Sequence, residues 1–210
     1  RIQTQKSLDA RLKCVYNYKE DSKKNLLDLI DSAGIARTEV FAGDYLDEPQ
    51  ITIISPTRDF YESLLPKFRN KLNFHWALEA LEENSYSSKD DISDETTLSK
   101  TLDDATDDTS AHNQSSIVFL LETDEKQKFL FTGDAGRDAF NHVPQTLLGK
   151  VKDVTWMKVP HHGSKHNLDS TIIKHVNPEI AYISTEKQGK YLNRSTVFAL
   201  KKNGTKVYST

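Results

Sequence analysis

Cysteine is nearly missing from this chain of 210 residues, in which Cys14 stands alone. One thiol excludes an internal disulfide framework, and a reducing, cytoplasmic setting is the simplest one for it. Long hydrophobic runs are missing as well. Nothing approaches the roughly 20 consecutive apolar residues that span a bilayer, and the N-terminus lacks the pattern of a signal peptide, so no membrane segment is expected in this chain. An initiator methionine is also absent. The first residue is Arg1, and Lys206–Thr210 reads as a strand that simply stops. Both ends are therefore expected to lie inside a longer natural protein.

What is present suffices for one sizeable soluble domain, with 36% hydrophobic and 28% charged residues. The net charge of −3 conceals an asymmetry. Residues 84–112 hold eight acidic side chains against two lysines, whereas residues 148–210 hold eleven Lys and Arg against four Asp and Glu. The basic end suits a polyanionic substrate, and an ordinary solvated surface accounts for it equally.

Hydrophobic spacing organises the chain coarsely. Leu26, Leu27, Leu29 and Ile30 predict a short amphipathic helix stopped by Gly34. Thr38–Phe41 and Ile51–Ile54 read as strands, and residues 59–83 as a helix in two pieces broken at Pro66. Residues 84–114 are rich in Ser, Thr and Asp and predict a mobile acidic surface loop, a tether or a partner-binding element. Ile117–Leu121 and Lys128–Phe131 form a predicted hairpin. A helix at 136–148 follows, and strands at 154–159, 179–184 and 205–209 then alternate with helices near 168–176 and 195–203. Strands and helices in this order define a layered α/β fold.

Two predicted strands end in residues that carry chemistry. Phe129–Thr132 terminates in Gly133-Asp134, and Val154–Pro160 terminates in His161-His162-Gly163-Ser164. Sites in α/β sheets gather beyond the carboxyl ends of strands. A carboxylate and an imidazole are donors that a borderline cation such as zinc or manganese accepts. Gly133 permits a turn that a side chain would strain, and Gly163 lets backbone approach whatever the histidines hold. Adjacent residues in an extended segment point opposite ways, so one histidine is expected to be a ligand and the other to face substrate or support the site. The remaining histidines are weaker candidates: His142 reads as structural or exposed, His166 and His175 as solvated, and His75 as packed beside Trp76.

Asn113-x-x-Ser116-Ile-Val, Phe129-Leu-Phe-Thr-Gly-Asp134 and Lys158-Val-Pro-His-His-Gly-Ser164 together resemble the C-terminal half of metallo-β-lactamase-fold hydrolases. The group most similar is the ComEC-like competence and DNA-uptake domains, with the related phosphorylcholine esterases. The resemblance covers about residues 22–210 outside the acidic stretch. It implies part of an αββα sandwich holding two divalent metal ions, zinc or manganese, in a cleft at one edge of its sheets. By that resemblance Asp134 bridges the ions, His161 closes one coordination sphere, and His162 and Lys165 steady phosphoryl oxygens. Ser164 and Arg194 would contact substrate.

Two features depart from the family pattern. A His-x-His-x-Asp-His run, which supplies most of the ligands, is absent from this chain, and the Tyr-x-His-Pro-Ser stretch of the family reads Tyr191-Leu192-Asn193-Arg194-Ser195 here. Arg194 offers a phosphate contact in place of the lost histidine. Two protein ligands do not fill a tetrahedral sphere. An upstream segment or a protein partner must therefore supply the rest, or the site is inactive. The implied function is hydrolysis of a phosphodiester, nucleic acid foremost, by a metal-activated water. A small ester such as a phosphocholine ester or a lactone, or an inactive partner-binding module, is the alternative.

Overall fold

The computed structural model describes residues 26–47, 49–69, 98, 101–185 and 192–210. Expectations for residues 1–20, for the helix beyond residue 69 with His75, for the acidic stretch at 84–97 and for Tyr191 lie outside the described residues. The chain divides into two compact units, Arg1–Val40 and Phe41–Thr210. In the first, helix α1 (Leu26–Ser32) ends as its spacing predicts, with Gly34 at φ 66° and an Arg37–Asp31 ion pair at 3.1 Å beyond it.

The second unit is built on a seven-stranded mixed sheet in the order β1 to β7: Tyr45–Leu46, Ile51–Ser55, Val118–Glu122, Lys128–Phe131, Trp156–Lys158, Ile180–Ile183 and Lys206–Ser209. Strands β1 to β4 pair antiparallel and β4 to β7 parallel. Each parallel step crosses over through helix: α4 (Arg137–Asn141) and α5 (Gln145–Leu148), then α6 (Ser170–Val176), then α7 (Arg194–Lys202). Crossovers of one handedness that all advance in one direction lie on one face of the sheet.

The pleat makes the same division. Leu120, Leu130, Met157 and Ala181 form a cross-strand row and are wholly buried with Leu168, Ile173 and Leu200 in the core. Alternate positions put Phe119, Phe129, Phe131, Trp156, Tyr182 and Tyr208 on the other face. There the rings run in contact from strand to strand, from the stacked Phe119–Phe131 pair at 4.6 Å to Tyr182–Tyr208 at 6.2 Å. Tyr182 and Tyr208 are exposed.

Local chemistry explains where the elements begin and end, and where they differ from the sequence expectation. Asp169 and Asn193 cap α6 and α7 by accepting from Ile172 and Ser195 backbone N–H groups. The helix expected at 136–148 is two short helices, because Pro144 has no N–H to continue the first and biases Val143 away from helical backbone. Helix α2 (Arg58–Arg69) runs through Pro66 instead of breaking there. Pro66 sits on the exposed side, while Tyr61, Leu64 and Phe68 are buried and hold the helix to the core. No strand forms at Thr38–Phe41. Asp44 accepts from the Phe41 N–H and closes a turn before β1.

Residues 101–114 depart furthest from expectation. In place of a mobile loop, this part of the acidic stretch is folded into the unit. Leu102 is wholly buried and Ala111 nearly so, and α3 (Ala111–Gln114) precedes β3. Burying one leucine contributes roughly 2 kcal/mol. Asp103 accepts from the Ser170 N–H at 2.8 Å, and Asp107 and Asp108 also have partners. Arg137, itself buried, reaches Asp107 at 3.0 Å and donates to the carbonyls of Leu102, Ala105, Lys165 and Leu168. One guanidinium thereby joins residues 102–107 to residues 165–168.

Candidate functional site at the strand ends

Strands β4, β5 and β6 run parallel, so their carboxyl ends share one edge of the sheet. Strand β3 runs antiparallel to β4 and starts at that edge. The residues before β3 are thus delivered to the place where β4 and β5 finish. Asp134, His161 and the 108–116 segment meet there for this topological reason.

Gly133 follows β4 at φ 54°, and a Cβ on it would lie 3.0 Å from the Ser116 Cβ. Ser116 Oγ accepts from the Asp134 backbone N–H at 3.2 Å, which fixes the turn. The Asp134 side chain is 43% exposed, and Lys158 Nζ stands 3.8 Å from its Oδ1. Lys158 also donates to the carbonyls of Gly133 at 2.7 Å and Val159 at 3.3 Å. Burial pulls its ammonium below the ordinary lysine pKa, against the opposing pull of the Asp134 charge.

The two histidines lie in a tight turn, Pro160–Gly163, and not in extended chain. His161 and His162 both adopt left-handed backbone, φ 42° and φ 54°. Two consecutive non-glycine residues in that region cost about 1–2 kcal/mol each, and such strain concentrates at functional sites. Their rings are 6.2 Å apart and make different contacts. The turn, and not strand alternation, is what sends the two rings to different partners.

The His161 N–H donates to the Gly133 carbonyl at 3.3 Å, joining the two strand ends directly. Its ring Nδ1 lies 3.2 Å from Asn167 Oδ1 and 3.4 Å from Asp108 Oδ2. Burial lowers its pKa, but the hydrogen bond and charge of Asp108, with the charge of Asp134, outweigh burial and hold it above the ordinary histidine value. His162 Nδ1 instead meets the Ser184 carbonyl beyond β6.

Asp108 is the acidic group that sequence reasoning missed. Its Oδ1 accepts from the Ser110 N–H at 2.8 Å, and its Oδ2 accepts from Asn113 Nδ2 at 2.8 Å and Asn167 Nδ2 at 2.9 Å. Burial raises its carboxyl pKa, and these bonds with that from His161 outweigh burial and place it below the ordinary range. Asn167, wholly buried, also donates to the Asp134 and Ala135 carbonyls at 3.1 and 3.4 Å. Gln114 completes the scaffold by donating to the Asp108 carbonyl and accepting from the Ala139 N–H. It fills the space a Cβ on Gly136 would need. An Asp-x-Ser signature ahead of a short helix was the local sign that Asp108 closes a turn.

The other expected residues are placed as follows. Ser164 is buried and its Oγ accepts from the His166 N–H, which fits a turn-stabilising role. Lys165 is half-buried, and its carbonyl receives Arg137. Arg194 is exposed at the start of α7, one residue after Asn193, whose N–H donates to the Gly163 carbonyl. Gly163, at φ 87°, makes room for Leu192 and Ile183 side chains, an apolar contact in place of the expected ligand approach. His142 stacks on Phe60 at 4.1 Å, and His175 Nε2 meets the Leu148 carbonyl. His166 is half-buried against the Thr106 carbonyl, and burial first of all lowers its pKa.

Asp134 and His161 fit a divalent cation in kind. In number they are two of the four ligands a tetrahedral ion takes. Among the described residues, no group of three or more His, Cys, Asp or Glu side chains is placed to hold a metal ion. Nor is any helix among them long and apolar enough to cross a membrane. Compared with family models, curated proteins and solved structures, the chain matches none.

Proposed function

We propose that this chain carries part of the active site of a metal-dependent hydrolase acting on phosphodiesters, with nucleic acid as the leading substrate class. The carrying observation is the junction of Asp134 and His161 at one sheet edge. The two strand ends are hydrogen-bonded to each other, and Asn167 touches both. Asp134 and His161 would be this chain's ligands, and the others would come from outside the described residues. A bound zinc or manganese ion supplies Lewis acidity and an acidified water. This chain's own residues hold His161 in place from behind, through Asp108 and Asn167, and offset the Asp134 charge with Lys158. Lys165 and Arg194 bring positive charge beside the same turn, where phosphoryl oxygens would lie. The sheet, with helices on one face and an aromatic row on the other, suits one half of an αββα sandwich.

One observation favours a second reading, an inactive partner-binding module. Lys158 already places a cation beside Asp134, and the third ligand is wanting among the described residues. Metal analysis of the intact protein, paired with hydrolysis of a generic phosphodiester and of DNA with manganese or zinc, separates the two. Asp134→Ala is expected to abolish hydrolysis and reduce bound metal. Wild-type rates in that variant refute the assignment, and a metal-free, inactive wild type selects the binding module.

A further inference from the structure

Asp108 sits too deep, and is bonded too fully, to serve as a ligand. Its side chain is 9% exposed, and its Oδ2 is approached by three nitrogen donors, those of Asn113, Asn167 and His161. The backbone on either side is also tied. The Asp108 N–H donates to the His166 carbonyl at 3.1 Å, and the Asp108 carbonyl accepts from Gln114. A carboxylate held from this many directions keeps one orientation, and that orientation faces the His161 ring.

The hydrogen-bond chemistry then fixes a proton. Asn167 Nδ2 lies against three acceptors, the Asp108 carboxylate and the Asp134 and Ala135 carbonyls. Only the amide NH₂ satisfies them, so the amide oxygen is the end that faces His161 Nδ1 at 3.2 Å. An amide oxygen only accepts, and an ionised carboxylate only accepts. Asn167 and Asp108 therefore each require a hydrogen on Nδ1. In the neutral ring this leaves Nε2 as the basic nitrogen. The arrangement is that of a carboxylate behind a ligand histidine, which sets the tautomer and raises ligand basicity.

We propose that Asp108 is the positioning residue of this site, fixing His161 in its Nδ1–H form directly and through Asn167, so that Nε2 is the nitrogen offered to a metal ion or a substrate proton. The offered role rests on the function proposed above, whereas the tautomer does not. Two measurements on the intact protein keep them distinct. Nitrogen-resolved NMR of histidine-labelled protein, at a pH where the ring is neutral, is expected to show His161 protonated at Nδ1 and not at Nε2. In Asp108→Ala the ring is expected to move toward the Nε2–H form that free imidazole favours. With zinc alone as the probe, Asp108→Ala is expected to weaken affinity about 10–100-fold. Should that variant not fold, Asp108→Ser, too short to reach the imidazole, takes its place with the same expectations. A wild-type ring protonated at Nε2, or a variant with unchanged tautomer, overturns the positioning role. The expected tautomer change in a protein that binds no zinc upholds the positioning and removes the metal reading instead.

Discussion

The charges of Asp108 and Asp134 both act on the same imidazole. Asp134 follows β4 on a glycine turn, and its side chain is 43% exposed with one ammonium at 3.8 Å. Asp108 precedes β3 in an acidic stretch, and its side chain is 9% exposed with hydrogen bonds from Ser110, Asn113 and Asn167. The same functional group is left open in one region and saturated in the other. An open carboxylate retains lone pairs for a ligand at little structural benefit, and a saturated one holds neighbouring elements together.

That contrast can be broken by measurement, and its largest consequence lies one residue from Asp108. Arg137 is the cation that ties the 102–107 segment to residues 165–168. Arg137→Met is expected to lower stability by about 3–5 kcal/mol, because it strands buried carbonyls and frees Asp107. Denaturant midpoints read this directly, and a loss below about 1 kcal/mol would show that the segment is only loosely attached.

The two aspartates themselves should separate next. Asp108→Ala takes the acceptor from the Asn113 amide, one of three acceptors from Asn167 and the carboxylate from His161, and is expected to cost about 2–3 kcal/mol. Asp134→Ala removes a half-exposed group and is expected to change stability by about 0.5 kcal/mol or less. Equal losses in the two variants would erase the distinction between the regions.

The smallest effect is in pH dependence. Asp108 lies below its ordinary value of 3.8 in the folded protein, so its contribution is complete above that pH and is lost as pH falls further. His161 lies above its ordinary value of 6.5, so its contribution is complete below that pH and is lost as pH rises through the folded value. Stability from this pair should therefore plateau between the two and decline on both sides. Asp108→Ala is expected to flatten both declines in chemical denaturation followed across pH. Unchanged slopes would mean the pair does not couple to folding.

Much of the sheet was legible. The hairpin of β3 and β4, and β5, β6 and β7 with their intervening helices, lie within a few residues of their hydrophobic patterns, because strand alternation and capping residues such as Asp169 and Asn193 act locally. Gly133 after β4 adopts positive φ, as its turn chemistry required, whereas Gly163 in the histidine turn makes room for Leu192 and Ile183. Composition misled at residues 101–114. Acidic residues in a polar stretch carry no sign of their partners, and Arg137, His161 and Asn167 lie about 30 to 60 positions away. Lys158 was visible inside the Lys-Val-Pro-His-His motif, but its contact with Gly133 and Asp134 depends on the parallel pairing of β4 with β5.

By itself the amino-acid order determined most of the segments that form strands and which two strand ends carry a carboxylate and an imidazole, since periodicity and turn residues are read over a few neighbours. Only the tertiary structure decided that those ends join, that a second aspartate stands behind the imidazole, and that the histidine pair is left-handed. Each of these depends on antiparallel β3 beginning where parallel β4 and β5 end. No local pattern encodes that meeting of distant chain segments.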